Sequence, residues 1–224
     1  MNITKHPLLL PEKQFTTAEI YFIITVMPKI VNHQDRKRTF TTAAKDVIAS
    51  KGLESARLID VAKIAGATTG SLGHYFNDKE DLFDATLRQL IDDWEARLSS
   101  DGTLLDVLLQ YLPMDHQSQK DLKVWVAFYT RALINKEAAA YIKAFHAEAK
   151  RKLSSYLQTY EGKQEQEAEE ITIAIQTAVD GLAFRALGDL ESWPASKQRA
   201  QLKATVDRLI NTGASANSYR ETAK

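Results

Sequence analysis

The chain has 224 residues, enough for one large domain or two small ones. Hydrophobic residues make up 44% of the sequence and charged residues 26%, which is typical of a globular protein and excludes extensive intrinsic disorder. The 29 Lys and Arg residues balance the 29 Asp and Glu residues, so any signal for nucleic acid or an acidic surface must be local. Without Cys, the sequence offers no disulfide, thiol nucleophile or Cys-ligated zinc.

The first 26 residues show no helical periodicity and contain Pro7, Pro11 and a run of β-branched and aromatic residues. We expect residues 1–26 to form an extension outside the core, since Met27 offers a second translation start. The apolar run over residues 20–27 is too short to span a bilayer, and no small-residue cleavage site follows it. The sequence therefore predicts a cytoplasmic protein with no membrane partner.

The first helical pattern begins at Asp35, where apolar residues recur at the spacing of one helix face. Gly52 is expected to end this helix, because glycine accepts the positive φ found at many helix ends. A short helix is predicted over residues 58–65, stopped by Gly66, and another over residues 69–75. The apolar positions of the first helix are Phe40, Ala43, Ala44, Val47 and Ile48.

A fourth helix is predicted to begin after Asn77 or Asp78, either of which can cap it. It carries an apolar stripe as far as Leu98, and the polar residues 99–102 mark a boundary. The sequence thus predicts an all-α protein. Five more helices are expected over residues 103–112, 117–135, 137–160, 165–188 and 195–211.

Residues 57–76 predict two short helices joined by a tight turn at Gly66. A helix as short as the second is not stable alone, and each interior Gly costs it about 1 kcal/mol relative to Ala. A small outward face suits close approach to a concave surface such as a DNA major groove, where helix-turn-helix units place their second helix. The small and polar residues of this face are Thr68, Thr69, Gly70, Ser71, Gly73, His74 and Tyr75.

Charge is locally positive around this segment. From Lys29 to Lys79, nine basic residues outnumber five acidic ones. Phosphate contacts need only a few well-placed cations and helix N-termini. Helix-turn-helix geometry also occurs as plain packing in helical proteins, so the pattern alone leaves DNA binding and a structural role both open. The basic cluster at residues 36–38 could equally be a solvated helix start.

Three motifs follow one another in this region: Asp-Val-Ala-Lys-Ile-Ala-Gly-Ala over residues 60–67, Thr-Gly-Ser-Leu-Gly-His-Tyr-Phe over 69–76, and Asn-Asp-Lys-Glu-Asp-Leu-Phe over 77–83. Together they closely resemble the DNA-binding domain of the TetR family. The second motif is similar to that of the BetI branch, which represses choline and betaine genes. The C-terminal half resembles the family more loosely, at residues 125–129 and 179–185.

The resemblance implies a helix-turn-helix DNA-binding domain over residues 27–80, a helical ligand-binding and dimerisation domain over 81–212, and a flexible tail over 213–224. It also implies a homodimer that represses transcription from a palindromic operator in double-stranded DNA and is released by a small-molecule effector. Base edges would be met by Thr69, Gly70, Ser71, Gly73 and His74. Phosphates would be held by Thr68, Tyr75, Lys79 and the basic start of helix one, with Arg36 and Lys37.

Two positions depart from the family pattern. Arg57 replaces the Thr that usually caps helix two, which puts that cap in doubt, although Arg57 could pair with a phosphate. Gly73 stands where the family often has a side chain that reaches bases. The operator sequence of a relative therefore cannot be assigned to this protein.

Two sets of residues in the C-terminal half have competing interpretations. The apolar residues of the last two helices could form a symmetric dimer interface or close the core of the monomer. An aromatic set with Asp180 could be core, or could hold a quaternary ammonium effector by cation–π attraction. The first set is Ile171, Ile175, Ala178, Val179, Leu182, Leu202, Val206, Leu209 and Ile210. The candidate pocket is Trp125, Phe128, Tyr129, Phe145, Asp180 and Phe184.

The sequence contains none of the common enzyme motifs considered: it has no H-E-x-x-H, no G-x-S-x-G and no phosphate-binding glycine loop. We therefore expect no catalytic residues and no cofactor. His116 and His146 have no neighbours at metal-ligand spacing, so we expect surface positions for both and no metal site. The alternative to a regulator is a helical protein-binding adaptor, which would show no salt-dependent affinity for duplex DNA.

Overall fold

The structure is a computed structural model that describes residues 33–97 and 102–221. Every contact given below lies within the unit Lys37–Lys224. The expected extension over residues 1–26 and most of the boundary over 99–102 lie outside the described residues. Those described form nine helices and no strand: α1 His33–Lys51, α2 Leu58–Ile64, α3 Thr69–Gly73, α4 Lys79–Arg97, α5 Leu104–Leu109, α6 His116–Ala132, α7 Lys136–Tyr160, α8 Glu165–Gly188 and α9 Ala195–Glu221.

The ends of the early helices follow from their sequence. Gly52 and Gly66 have φ of 78° and 58°, so each adopts the left-handed conformation that favours glycine and turns the chain after α1 and α2. Asp78 caps α4, because its carboxylate accepts a 2.8 Å hydrogen bond from the Asp81 N–H. The predicted end of helix one and the predicted cap of helix four are thus confirmed.

The apolar face of α1 supports the short helices around it. Phe40 is fully buried. Its ring centroid lies 5.5 Å from that of Tyr75 and 6.2 Å from that of Phe76, just beyond the end of α3. Leu72 of α3 is also buried in this core. A five-residue helix has little stability of its own, so these contacts hold α3 in place.

The C-terminal half is a stack of long helices. In this stack α6 packs on α7, α7 on α8, and α8 on α9, while α4 meets α6 and α5 meets α9. Short polar caps start α5 and α6, where Thr103 pairs with Asp106 and Asp115 pairs with Ser118. α8 has the length and apolar composition of a membrane-spanning helix, but it packs against α6, α7 and α9 within the chain.

Four helices end two or more residues away from the sequence-based expectation. α3 ends at Gly73 rather than at residue 75, α5 at Leu109 rather than at 112, and α6 at Ala132 rather than at 135. α9 continues to Glu221, so residues 213–221 are helical where a flexible tail was expected. One interior Gly costs a helix about 1 kcal/mol and does not by itself end it, which accounts for the continuation through Gly213.

Candidate nucleic-acid interface and effector pocket

Helix α3 presents an exposed face of small residues. Thr69, Gly70, Gly73 and His74 are exposed and Ser71 is half-buried, whereas Leu72 points into the core. One side of this short helix is therefore exposed to solvent, and the other side is packed in the core. This is the arrangement that a groove-binding helix requires.

The glycines keep this face open. A Cβ built on Gly73 would meet no atom within 4 Å, and one built on Gly70 would meet only the Thr68 hydroxyl oxygen at 3.8 Å. Neither position needs glycine for internal packing. Their small size instead allows another molecule to approach the α3 backbone closely.

Thr68 caps α3 at its N-terminus. Its hydroxyl oxygen accepts a 3.1 Å hydrogen bond from the Ser71 N–H, while its backbone is extended. The same hydroxyl still carries a hydrogen that can be donated to a phosphate oxygen. Thr68 is thus both a structural cap and a candidate contact at the positive end of the helix.

Cationic side chains lie on the elements around α3. The Lys79 ammonium lies 3.4 Å from the Glu54 carbonyl oxygen and 5.1 Å from the Phe83 ring centre. The Lys37 ammonium lies 5.5 Å from the centre of the Phe76 ring. These contacts place both ammonium groups beside the helix-turn-helix. Arg36 precedes Lys37 in α1.

Arg57 precedes α2 without capping it, since its side chain makes no cap hydrogen bond. Its guanidinium donates to Asp60 at 3.1 Å, and Lys51 lies 3.1 Å from the same carboxylate. The bond from Arg57 is the largest of the effects that hold the pKa of Asp60 below its ordinary value. With its side chain 71% exposed, Arg57 remains accessible to a phosphate.

Tyr75 is half-buried, with its ring against Phe40. Base-facing and phosphate-facing residues named from the sequence thus occupy α3, the turn after it and the starts of α1, α2 and α4.

A second concentration of candidate residues lies between α6, α7 and α8. The ring of Trp125 lies 4.9 Å from that of Phe145 and 6.3 Å from that of Tyr129, and Tyr129 lies 6.4 Å from Phe184. Asp180 is solvent-accessible, yet burial raises the pKa of its carboxyl, an effect that nearby His146 opposes.

Burial favours the core interpretation for part of the aromatic set. Phe128 is 0% exposed and packs edge-on against Phe83 at 6.4 Å, and Trp125 is 5% exposed. The surface position expected for His146 is wrong. His146 is not a surface residue: its ring lies 6.0 Å from Trp125 and 6.1 Å from Tyr129, and its Nε2 is buried without a hydrogen-bond partner. No local pattern marks His146, since only the packing of α7 on α6 places it among these rings.

Most residues expected at a dimer interface close the core of the single chain. Ile171, Ile175, Val179 and Leu182 of α8 are buried, as are Leu202 and Val206 of α9. Ala178, Leu209 and Ile210 are half-buried. The exposed apolar residues of α8 are instead Ile173 and Phe184, eleven positions apart and therefore on one face of the helix.

Within residues 33–97 and 102–221, no group of three or more His, Asp or Glu side chains could hold a metal ion.

A helix-turn-helix with an exposed second helix, followed by a larger helical domain with an aromatic cluster, is the arrangement expected of a DNA-binding regulator of transcription. Residues 40–86 match the family described as bacterial regulatory proteins, tetR family, and residues 101–211 match the C-terminal domain of BetI-type transcriptional repressors. The chain belongs to the TetR family of transcriptional regulators and carries a BetI-type repressor domain. This family is not a class of enzymes, and the adaptor alternative is not favoured.

Individual proteins similar to this chain are also transcriptional regulators. The regulator PksA of Bacillus subtilis is 25% identical over 209 residues, which cover 88% of this chain and 98% of that protein. BetI of Escherichia coli K12 is 28% identical over 78% of this chain and 92% of its own length. A transcriptional regulator from Rhodococcus sp. Rha1 superposes with a TM-score of 0.70 and 28% identity, over 79% of this chain and 96% of that one. A regulator from Saccharomonospora viridis, solved with choline, has the same fold at a TM-score of 0.66 and 18% identity, over 78% and 96% of the two chains.

Proposed function

We propose that this protein is a cytoplasmic, homodimeric repressor that binds an inverted-repeat operator and releases it when a small cationic molecule enters the C-terminal domain. The observation that carries the proposal is the open, glycine-containing face of α3, held on a buried aromatic core. Two such helices about 34–36 Å apart would enter successive major grooves on one side of the duplex.

In this proposal the open face reads bases and its surroundings hold the backbone. Thr69, Ser71 and His74 offer hydrogen-bonding side chains, and Gly70 and Gly73 let the helix come close. The phosphate-binding set is Arg36, Lys37, Arg57, Thr68, Tyr75 and Lys79. Cations, hydroxyls and a helix N-terminus are the groups that bind phosphate oxygens in such complexes.

The effector would bind among the rings of Trp125, Tyr129, Phe145 and Phe184, near Asp180. Aromatic faces and a carboxylate attract a quaternary ammonium, which needs no hydrogen-bond acceptor. The choline found in the Saccharomonospora viridis regulator supports this ligand class by analogy of fold.

Self-association is supported by the exposed apolar pair on α8. Ile173 and Phe184 remain 50% and 45% exposed in the single chain. Burial of this face against a second copy would bring two α8 helices together in a symmetric interface.

The decisive experiment is selection of duplexes from a random DNA pool by the purified protein at fixed, moderate salt. We expect enrichment of one inverted repeat, and release of that duplex on adding choline. A folded protein that enriches no duplex would refute the regulator proposal. Enrichment without release by choline would refute the quaternary ammonium effector and leave the DNA-binding function standing.

A further inference from the structure

Helices α1 and α6 carry the same dipeptide and pair reciprocally through it. The Lys120 ammonium on α6 lies 2.8 Å from the Asp46 carboxylate on α1. The Lys45 ammonium on α1 lies 3.8 Å from the Asp121 carboxylate on α6. We refer to Lys45, Asp46, Lys120 and Asp121 as the reciprocal clamp.

The inner pair of the clamp is almost completely buried. The side chain of Lys45 is 5% exposed and that of Asp121 is 1% exposed. Each has further partners on α4: Lys45 lies 2.6 Å from Asp93, and Asp121 accepts a 2.9 Å hydrogen bond from Arg97. Separating Lys45 from Asp121 would leave each buried charge with its α4 partner alone, so these ion pairs join α1, α4 and α6 in one network and oppose a relative shift of α1 and α6.

On the α6 side, the clamp is close to the aromatic cluster. Trp125 follows Asp121 by one helical turn and Tyr129 follows by two, so all three lie on one side of α6. Trp125 is itself in contact with Phe145 and His146 of α7. A molecule inserted among these rings would displace α6, and with it the clamp.

On the α1 side, the clamp is continuous with the support of the recognition helix. Phe40 lies five residues before Lys45 on the same helix and packs against Tyr75 and Phe76. Since protein cores are densely packed and deform little, a shift of α1 is transmitted to the end of α3.

We propose that the reciprocal clamp couples the effector pocket to the DNA-binding helix, with its four side chains acting as positioning residues. The inference rests on the proposed function, because it assigns a route by which the pocket regulates DNA binding. Coupling between two sites is reciprocal, so operator binding must also alter α6.

The test uses the full chain and the duplex enriched from the random pool, and it needs no effector. Amide hydrogen exchange of peptides from residues 116–132 is measured without DNA and with saturating duplex. In the wild type, we expect DNA to slow exchange by about tenfold, within the range of typical coupling factors. Saturating DNA removes differences in affinity between variants.

The outer pair supplies the variants, since Asp46 and Lys120 are 38% and 22% exposed and tolerate substitution better than the inner pair. Asp46→Lys and Lys120→Asp should each reduce the slowing of hydrogen exchange by DNA in α6 to less than about threefold. The double variant, in which the two charges are swapped, should restore the slowing to the wild-type value. Glu148→Lys is the matched control, because it makes the same charge change in an exposed ion pair with Arg151. Asp46→Asn serves if the charge reversals do not fold.

The clamp proposal would be overturned if DNA slowed hydrogen exchange in the single variants as much as in the wild type. It would also be overturned if the double variant did not recover the effect of DNA. In both cases the regulator function would stand. The same holds if DNA leaves α6 unchanged in the wild type. A protein that enriches no duplex refutes the proposed function, and the clamp proposal with it.

Discussion

Gly73→Ala separates the stability of α3 from its binding role. Gly73 is the last residue of the helix, and a Cβ there would meet no atom within 4 Å. Alanine should therefore stabilise the folded chain by about 0.5–1 kcal/mol. For a chain of this size, that corresponds to a rise in Tm of about 1–4 °C. Operator affinity should change in the opposite direction.

The expected loss of affinity follows from the open space above Gly73. If the α3 backbone approaches base edges, the added methyl group displaces the helix and weakens a base contact by about 1–3 kcal/mol, or about 5- to 150-fold in Kd. If formation of α3 limited binding instead, the same change would tighten binding by up to about fivefold. Fluorescence anisotropy with the selected duplex and a thermal melt measure both quantities.

Gly188→Ala is the control, because Gly188 is also the last residue of a helix and a Cβ there would also meet no atom within 4 Å. It should raise Tm without changing the operator Kd. Tighter or unchanged DNA binding by Gly73→Ala would refute the argument that glycine permits close approach at this position.

Four further predictions concern other parts of the molecule. Lys79→Ala should weaken binding similarly for all sequences and reduce the slope of log K against log salt by about one, measured by titration at several salt concentrations. Ser71→Ala and His74→Ala should change the preferred base in a repeated selection while leaving affinity for random DNA unchanged. Asp180→Asn should weaken choline binding measured by calorimetry. Because the pKa of Asp180 is raised, its carboxylate is protonated at a higher pH than an ordinary Asp, whose pKa is about 3.9. The affinity of the wild type for choline should therefore fall already at that higher pH, whereas the affinity of the Asn variant should not change with pH in this range. Phe40→Ala should destabilise the fold by about 3–5 kcal/mol in chemical denaturation and remove operator binding.

Each of these predictions has a contradicting result. An unchanged salt slope for Lys79→Ala would remove that residue from the phosphate contacts. An unchanged operator in both α3 variants would contradict base reading by their side chains. Equal pH dependence in the wild type and Asp180→Asn would show that another group governs ligand binding. A Phe40→Ala variant that keeps operator affinity would contradict the support of α3 by α1.

Local signals in the sequence were sufficient for most of the fold. Periodic apolar residues predicted α1 and α8 closely, and glycines at positive φ ended α1 and α2 where expected. The prediction failed at the end of α9, because helix continuation depends on the balance of several residues and no local stop is absolute. It also left the apolar residues of α8 open between a dimer interface and the core. Only three-dimensional packing shows that most of them are core.

The candidate sites divide in the same way. The proposed DNA-binding segment is continuous in sequence, so its candidate residues could be named from the three motifs and from the residues that precede them. The candidate pocket is assembled from three helices. The sequence left Phe128 open between core and pocket and misplaced His146, because aromatic spacing along one helix does not show which rings meet. The reciprocal clamp joins residues more than 70 positions apart and has no sequence signal of its own.

The division of α3 between one buried side chain and several open positions has a consequence for how this regulator can evolve. Leu72 contributes to the core, whereas Thr69, Gly70, Gly73 and His74 are exposed. Substitutions at the exposed positions therefore leave folding largely intact while changing what the helix meets outside the protein. Descendants of this chain can acquire new target sites through single point mutations, without compensating changes elsewhere, and so regulate different genes from an unchanged scaffold.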